Sequence, residues 1–456
     1  MQGRDLKEAG LDSKKILNRL KNRDFSGENG QAIKNSTWQL STNIIAKVGS
    51  LIFTIILSRM LGAEVYGLYG LALSTILFLG LISDLGLSTT LTTFISKTID
   101  KNPKKAKGYY SYLTKIKFIL VGITSLILIV CAKWVATSYY NKPIFYAILA
   151  GAIYLPLSSL FQWFSSIFVS TNKFRHVFTK EVIFQTVRLT FVPLFIVLAF
   201  NKIKTEIFLF WIFAIVGIAY FIGAIFILVK LKKNKIIISQ SKENLTGKEI
   251  SDLKRFALPL SITALSGSFF GYIDTVMLGR FVSSEFIAFY QNAFNLITAA
   301  STILAFMGIA LLPIFSRVDE EKSIKLFRKS RLILFLISVC AVIFTLLVSK
   351  YLILLIYGQE YLQSVLYLRF FSILLIFSPM TELYVNYYTS QKKTNIIAWS
   401  LVISTILNVI LNSIFIRIGL TYGMAQAVLG ACIATIISKF AYLGILGVGR
   451  KIFIKK

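Results

Sequence analysis

Residues 57–72 read LSRMLGAEVYGLYGLA, and residues 278–293 read LGRFVSSEFIAFYQNA. Shifting the chain by 221 residues superimposes the two stretches without a gap. The matching positions are Leu57 with Leu278, Arg59 with Arg280, Glu64 with Glu285, Tyr69 with Tyr290, and Ala72 with Ala293. Self-similarity at one fixed spacing indicates an internal repeat. The chain is therefore predicted to consist of two similar halves.

The composition is that of an integral membrane protein. Of the 456 residues, 56% are hydrophobic and 15% are charged, and the mean hydropathy is +0.72. Soluble domains carry about 25% charged residues. Many apolar runs reach the roughly 20 residues that a helix needs to cross the hydrocarbon layer.

The apolar runs predict an all-α fold of twelve transmembrane helices, in two parallel six-helix lobes around a central cavity. Strands are not predicted. The spans of the first half are 37–59, 66–90, 113–136, 144–170, 177–200 and 207–230. The spans of the second half are 256–281, 286–314, 330–350, 364–389, 395–416 and 421–447. Because each half has an even number of spans, the repeats are expected to run parallel.

Polar segments divide the chain further. We predict a basic cytoplasmic tail at 1–35, an N-lobe at 36–230, a basic linker at 231–255, a C-lobe at 256–447 and a basic carboxyl terminus at 448–456. Within the tail, residues 4–23 have the pattern of a basic amphipathic helix, which would lie on anionic lipid. A solvated tail fits the same pattern.

Basic residues predict the orientation of the chain. The net charge of +30 would suggest nucleic acid in a soluble protein. Here 38 of the 50 Lys and Arg lie in segments on the side of the membrane that also holds both termini. Eight lie at the span ends on the other side. The positive-inside rule then places both termini in the cytoplasm and makes nucleic acid an improbable partner. The remaining four, Lys47, Arg188, Arg369 and Lys439, lie inside spans.

Polar side chains recur at helical spacing in several spans, where hydrocarbon offers them no water. Such stripes usually face a cavity or another helix, although Ser, Thr and Gly also serve helix packing. Helix 1 carries Gln39, Asn43, Lys47, Ser50, Thr54 and Ser58, helix 7 carries Ser261, Ser268, Gly271 and Thr275, and helix 8 carries Gln291, Asn295, Thr298 and Thr302. By the repeat, Ser268 and Thr275 correspond to Lys47 and Thr54. We expect these faces to line a central cavity.

Charged groups inside the spans are the sharpest candidates for a site, because an ionised group at depth costs about 2.5–3.5 kcal/mol on insertion scales. Lys47, Arg188 and Arg369 are predicted to bind substrate. The candidates for ion coupling are Asp84, Glu181, Asp274 and Glu382. Structural alternatives stay open, since Glu181 would neutralise Arg188 on the same helix, and Glu382 would repair a kink after Pro379.

Enzyme motifs are missing from the sequence. It contains no GxxxxGK[ST] loop, no GxSxG and no HExxH motif or Cys/His zinc cluster. We therefore expect a non-enzyme without a bound cofactor or metal, apart from coupling to Na⁺ or H⁺. Transport is the favoured class.

The repeat motif carries a family resemblance. SRMLGAEVYGLYGLALS, at 58–74, and ISDLGLSTT, at 82–90, resemble the opening of the polysaccharide-biosynthesis branch of the multidrug/oligosaccharidyl-lipid/polysaccharide exporter superfamily. Residues 253–293, YGQEYLQS at 357–364 and YGMAQAVLGACIATIIS at 422–438 resemble later parts of that branch. The resemblance covers nearly the whole chain beyond the tail.

The resemblance implies a V-shaped, alternating-access transporter that flips a polyprenyl- or dolichyl-diphosphate-linked oligosaccharide across the cytoplasmic membrane. Its partners would be membrane lipid, the lipid-linked glycan and glycan assembly enzymes, and the protein would be a monomer. Multidrug exporters share this fold, so an ion-coupled exporter of cationic or amphipathic compounds is the alternative. A scaffold without transport activity also fits the sequence. The excess of cations inside the spans favours an anionic substrate.

Overall fold

The computed structural model describes residues 27–233, 245–309, 320–391 and 393–454. Within these ranges all regular secondary structure is helical. The amphipathic helix expected at 4–23, much of the linker and the end of span 286–314 lie outside the described residues.

The first half forms six helices. The first of them is 54 residues long, and the third continues through Trp134–Tyr139 as a π-helical turn. The bounds are α1 Gly27–Gly80, α2 Leu87–Thr98, α3 Pro103–Lys133, α4 Phe145–Ser170, α5 Phe174–Ala199 and α6 Thr205–Lys233.

Within the described residues, the second half forms seven helices. Its fourth span is divided between α10 and α11, with Ser372 and Ile373 between them. The bounds are α7 Gly247–Phe281, α8 Ser284–Ile309, α9 Glu320–Ile356, α10 Ser364–Phe371, α11 Leu374–Ser390, α12 Thr394–Leu420 and α13 Met424–Ile454.

The described helices account for twelve crossings of a membrane. Ten segments are long and apolar enough to span, and the first of them, Lys34–Ser83, has 50 residues. About 20 residues suffice for one crossing, so this segment provides two. The remaining crossing is α8, with 26 residues. The predicted all-α fold of twelve transmembrane helices is confirmed.

The boundaries of the second span differ from the prediction. A loop was expected between 59 and 66, but α1 is interrupted only at Gly62, whose φ of 71° and ψ of 170° are not helical. The span instead ends early, because a 3₁₀ turn at Leu81–Ser83 leads to Leu85 and Gly86 with φ of 41° and 70°. The predicted continuous helix 66–90 is therefore broken before α2. A broken helix at membrane depth requires protein or a cavity around its backbone.

The two halves meet closely at the end of the bundle that carries Arg59 and Arg280, here called the Arg59 end. The hydroxyl of Tyr361 donates to the carbonyl oxygen of Ser58 at 2.7 Å. In the repeat, Tyr361 corresponds to Tyr140 and Ser58 corresponds to Gly279. The ring of Tyr140 would lie 2.8 Å from a Cβ atom at Gly279, so these two residues are also in close contact. The closure is therefore built from equivalent positions of both halves.

The two halves also contact each other at the opposite end of the bundle. The Oγ of Ser261, on α7, donates to the carbonyl oxygen of Leu85 at 2.6 Å, in the break before α2. A salt bridge joins Lys105, at the start of α3, to Glu249, at the start of α7. In the part of α1 that precedes Gly62, the side chains of Ile44 and Val48 remain about half exposed.

Candidate substrate cavities between the two halves

A cavity lined by Lys47 lies between α1 and α8. Its volume is about 130 Å³, and Lys47 is exposed towards it. Its polar lining consists of Lys47, Ser50, Thr54, Asn295 and Thr298. The structure thus brings together Lys47, Thr54 and Asn295 from the predicted stripes of two helices, one from each half. Their role in binding stays a prediction.

No carboxylate lies within salt-bridge distance of Lys47 among the described residues. From the sequence, Glu181 and Glu382, which are carboxylates of other spans, are alternative structural partners for Lys47. Glu181 instead accepts a hydrogen bond from Nε2 of Gln185 at 2.9 Å and lies 3.8 Å from Nζ of Lys180. Glu382 interacts electrostatically with Lys439. The ammonium of Lys47 therefore faces a cavity without a counter-charge in the described parts of the chain.

Arg188 belongs to a buried network behind α1. Its Nη2 donates to Oε1 of Gln185 at 2.6 Å and lies 3.4 Å from the hydroxyl of Ser50, which also lines the Lys47 cavity. The guanidinium also lies 4.3 Å from the ring centre of Phe53. Gln185 links Arg188 to Glu181, so the intrahelical pairing considered from the sequence is indirect. Arg188 is only 8% exposed, and its Nε has no hydrogen-bond partner among the described residues.

A larger cavity, of about 520 Å³, lies at the broken end of the second span. We call it the Asp84 cavity. Asp84 and Ser88 line it from the break and α2, Gln162 from α4, Tyr220 from α6, and Ser268 from α7. It therefore lies between elements of both halves. Of the predicted site residues, Asp84 and Ser268 are found here.

Asp84 has a buried cationic partner that the sequence did not suggest. Its Oδ1 accepts hydrogen bonds from Nζ of Lys117 and from Oγ of Ser88, both at 2.6 Å. The side chain of Lys117 is 1% exposed, whereas that of Asp84 is 40% exposed. The charge count places Lys117 among the 38 basic residues at the cytoplasmic ends of the spans, but its ammonium lies inside α3, bonded to the carboxylate of Asp84.

Asp274 lies in a separate buried cluster within the second half. Tyr290 donates to its Oδ2 and Asn412 to its Oδ1, each at 2.6 Å, and Thr435 also donates to Oδ2. Asp274 is 3% exposed. Both carboxylate oxygens are thus engaged by neutral donors, and Asp274 lines neither the Lys47 cavity nor the Asp84 cavity.

The other candidates are dispersed. Gln39 and Asn43 are exposed on the face of α1 that carries Lys47. Gln291 contacts Ser74 of the other half at 3.3 Å, and Nε of Arg369 donates to Oγ of Ser349 at 2.9 Å. Thr275 is buried beside Asp274. The repeat equivalents of Lys47 and Thr54, Ser268 and Thr275, therefore do not join them in one cavity.

Several polar residues near the cavities were not singled out from the sequence. Gln162 and Ser159 belong to a largely apolar helix that also carries Ser158, Ser165 and Ser166. Tyr220 and Tyr272 look like ordinary aromatic residues of a span. The spacing of Gln162 three residues after Ser159 was an available signal. For Lys117, the available signal was its place within the predicted span 113–136, but its partner lies 33 positions away in the sequence and could not be recognised.

Comparisons with known proteins agree with this architecture. The sequence profile of the family described as polysaccharide biosynthesis protein matches residues 32–319, more than half of the chain. A profile described as MatE matches residues 259–414. A putative O-antigen transporter of Shigella flexneri is 24% identical over 335 residues, which cover 72% of this chain and 77% of the relative.

Solved structures show the same fold at low sequence identity. An inward-facing multidrug resistance MATE family transporter superimposes with a TM-score of 0.71 at 16% identity, covering 92% of this chain and 99% of the other. The lipid II flippase MurJ, in an inward closed conformation, gives 0.68 at 14% identity, with coverage of 89% and 86%.

The fold and these matches define a multi-pass membrane transporter of the multidrug/oligosaccharidyl-lipid/polysaccharide exporter superfamily. Within that superfamily, the chain belongs to the polysaccharide biosynthesis protein family. The predicted family is thereby confirmed.

Proposed function

We propose that this transporter flips a polyprenyl- or dolichyl-diphosphate-linked oligosaccharide across the cytoplasmic membrane by alternating access. The observation that carries the proposal is Lys47, a cation without a counter-charge among the described residues, in a cavity between the two halves. Both termini face the cytoplasm in this proposal, and the distribution of Lys and Arg supports that orientation.

The charge of Lys47 fits an anionic substrate. A cation within a membrane span is costly, and it is retained where it contacts water, a counter-charge or a ligand. The described carboxylates of Asp84 and Glu181 already interact with Lys117 and Lys180. A diphosphate group entering the cavity supplies the missing counter-charge, because phosphate oxygens accept strong charge-assisted hydrogen bonds.

Two further observations support movement of a lipid-linked headgroup. The halves close tightly at the Arg59 end through repeated positions, which suits two bodies that rock about a central site. The relatives include a putative O-antigen transporter and a lipid II flippase. The lipid chain would stay in the bilayer while the polar headgroup crosses between the halves.

An ion-coupled exporter of cationic or amphipathic compounds is the second candidate. It is favoured by the likeness to MATE transporters and by Asp274, a carboxylate buried in the second half. In that mechanism Asp274 or Glu382 would exchange Na⁺ or H⁺. Asp274 is surrounded by three neutral donors, however, and the cation Lys47 in the cavity would repel a cationic substrate.

Purified protein in liposomes separates the two functions. One assay follows transbilayer movement of lipid-linked glycans extracted from cells that lack the protein. A parallel assay follows ion-driven uptake of tetraphenylphosphonium, an amphipathic cation. We expect flipping of the glycan and no uptake of the cation; cation uptake without glycan flipping would support the exporter.

A further inference from the structure

The Asp84 cavity has the size and the lining of a ligand pocket. Its volume of about 520 Å³ falls within the range of roughly 300–1,000 Å³ that is usual for small-molecule sites. Hydroxyl groups of Ser83, Ser159 and Ser268, the amide of Gln162 and the rings of Tyr220 and Tyr272 line it. Most of these groups both donate and accept hydrogen bonds.

Asp84 exposes a carboxylate to this cavity, and the buried side chain of Lys117 balances its charge. Lys117 and Ser88 both bond to Oδ1, and Oδ2 has no hydrogen-bond partner among the described residues. The buried ammonium of Lys117 neutralises the carboxylate of Asp84. Oδ2 of Asp84 is therefore a fixed hydrogen-bond acceptor in the cavity wall, and the ion pair as a whole adds no net charge to the cavity.

Gln162 is an unused hydrogen-bonding group in the same wall. Its side chain is exposed to the cavity from within an apolar helix, and neither amide atom has a hydrogen-bond partner among the described residues. Facing it from the other half is α7 with Ser268, so a ligand in this cavity would contact both halves.

The broken helix explains why such a polar space exists here. Leu85 and Gly86 have positive φ, and the carbonyl oxygen of Leu85 is bonded to Ser261 of the other half. A Cβ built on Gly86 would lie 3.1 Å from Cβ of Leu260. The backbone of the break therefore packs directly on α7, and α2 begins after it.

We propose that the Asp84 cavity binds the sugar residues of the transported lipid, while the diphosphate lies at Lys47. This inference rests on the proposed function and adds a second subsite to it. Sugars carry hydroxyl groups that donate to carboxylate and amide oxygens, and their apolar ring faces pack against aromatic rings. Because the pair of Asp84 and Lys117 has no net charge, the cavity offers a diphosphate no counter-charge, whereas a neutral polyhydroxyl group needs none.

The test measures binding of two fluorescent lipids to the protein in nanodiscs. One is a polyprenyl diphosphate that carries the glycan accumulated in cells lacking the protein, and the other is the same polyprenyl diphosphate without sugar. We expect the wild-type protein to bind the glycosylated lipid at least tenfold more tightly, which corresponds to about 1.4 kcal/mol.

Variants assign this preference to the cavity. Gln162→Leu keeps the volume and removes the hydrogen bonds, and Ser268→Ala does the same from the other half. Each should reduce the preference to less than threefold and leave the affinity for the sugar-free lipid unchanged. Gln363→Leu, at an exposed position outside the cavity, is the matched control and should keep the full preference.

The outcomes separate this inference from the proposed function. Lys47→Gln should weaken binding of both lipids by the same factor. An unchanged preference in Gln162→Leu and Ser268→Ala, or an absence of preference in the wild type, would overturn the sugar subsite alone. Failure of the wild type to bind either lipid would overturn the proposed function. Competition by tetraphenylphosphonium that depends on Asp84 would identify a cation site instead.

Discussion

The guanidinium of Arg59 donates from Nε to the carbonyl oxygen of Ile356 at 2.7 Å, joining the first helix to the last residue of α9 in the other half. Its Nη2 also donates to the carbonyl oxygen of Leu355. Both acceptors belong to the last turn of α9, where carbonyl groups lack helical partners and the helix dipole is negative. Arg59 therefore caps a helix of the opposite half.

A second contact, next to the Arg59 cap, joins an acidic side chain of the second half to the start of a helical segment of the first half. The backbone N–H of Ala63 donates to Oε1 of Glu360 at 2.7 Å, just after α1 is interrupted at Gly62. The acidic group thus lies at the start of a helical arm, where the dipole is positive. The repeat partner of Arg59, Arg280, lies over the ring of Tyr139, and Tyr139 is the repeat equivalent of Glu360.

Loss of the Arg59 cap should open this end more often. We place a cysteine at Ser58, which is fully buried beneath the closure, in a protein whose three native cysteines are replaced by alanine. Arg59→Gln should raise the rate of labelling by a membrane-impermeant maleimide by about tenfold, the equivalent of one hydrogen bond to a charged group.

Arg280→Gln provides the symmetric control for this experiment. Arg280 contacts aromatic rings and has no hydrogen bond to the other half among the described residues, so its removal should raise labelling by about threefold at most. Equal labelling in wild type and Arg59→Gln would show that the cap does not hold the halves together.

The close approach of α1 and α8 should not tolerate a methyl group at Gly67. A Cβ there would lie 1.8 Å from the carbonyl oxygen of Ser284, which belongs to the backbone of the other half. We expect Gly67→Ala to destabilise the protein by about 1–3 kcal/mol, measured as a lower midpoint of thermal unfolding.

Two other glycines calibrate this result. Gly70→Ala would meet only the flexible end of Gln291 and should cost less, and Gly122→Ala meets nothing within 4 Å. Because alanine is the better helix former, Gly122→Ala should be neutral or stabilising. A Gly67 variant as stable as the Gly122 variant would contradict the packing of α1 on α8.

The ion pair beneath the Asp84 cavity should be asymmetric in its response to mutation. Asp84→Asn leaves the ammonium of Lys117 buried and without its charge partner, which typically costs about 3–5 kcal/mol. Lys117→Met leaves a carboxylate that is partly exposed to the cavity and should cost less. The double variant should recover stability relative to Asp84→Asn. Thermal unfolding with the same loss in both single variants would contradict the different burial of the partners.

Orientation in the membrane can be tested by cysteine labelling in intact cells. Single cysteines at Lys104 and Lys233 should react only after the cells are opened, because both positions belong to the basic ends of the spans. A cysteine at Lys202, an exposed position at the other end, should react from outside. External labelling at the Lys233 site would reverse the proposed orientation.

The sequence was sufficient to predict the number and type of the helices, because a length of apolar chain is a local property. It also predicted that Lys47, Thr54 and Asn295 would face a common space, since helical spacing fixes which side chains share a face. The pairing of Asp84 with Lys117 was not predictable in this way. Which face meets which neighbour depends on the packing of α1, α3 and α4 together.

The break at Leu85 and Gly86 shows a second limit of local patterns. The stretch DLGLS was read as part of one span because its hydropathy continues into α2. Its interruption depends on support from the other half, through Ser261 and Leu260. For the same reason the repeat did not predict that Lys47 and Ser268 would line different cavities.

Transport by Lys47 variants shows whether the substrate binds at this cation. The assay follows flipping of the extracted lipid-linked glycans in liposomes that contain equal amounts of folded protein. Lys47→Gln keeps a polar side chain and removes the charge, Lys47→Arg keeps the charge, and Lys34→Gln removes an exposed charge from the same helix as a control.

We expect Lys47→Gln to reduce the initial flipping rate by at least tenfold, Lys47→Arg to retain part of it, and Lys34→Gln to match the wild type. The reason is that the diphosphate needs a cation within the cavity, and the described part of the chain offers Lys47 there. Flipping by Lys47→Gln at the wild-type rate would show that transport does not depend on an anion bound at Lys47.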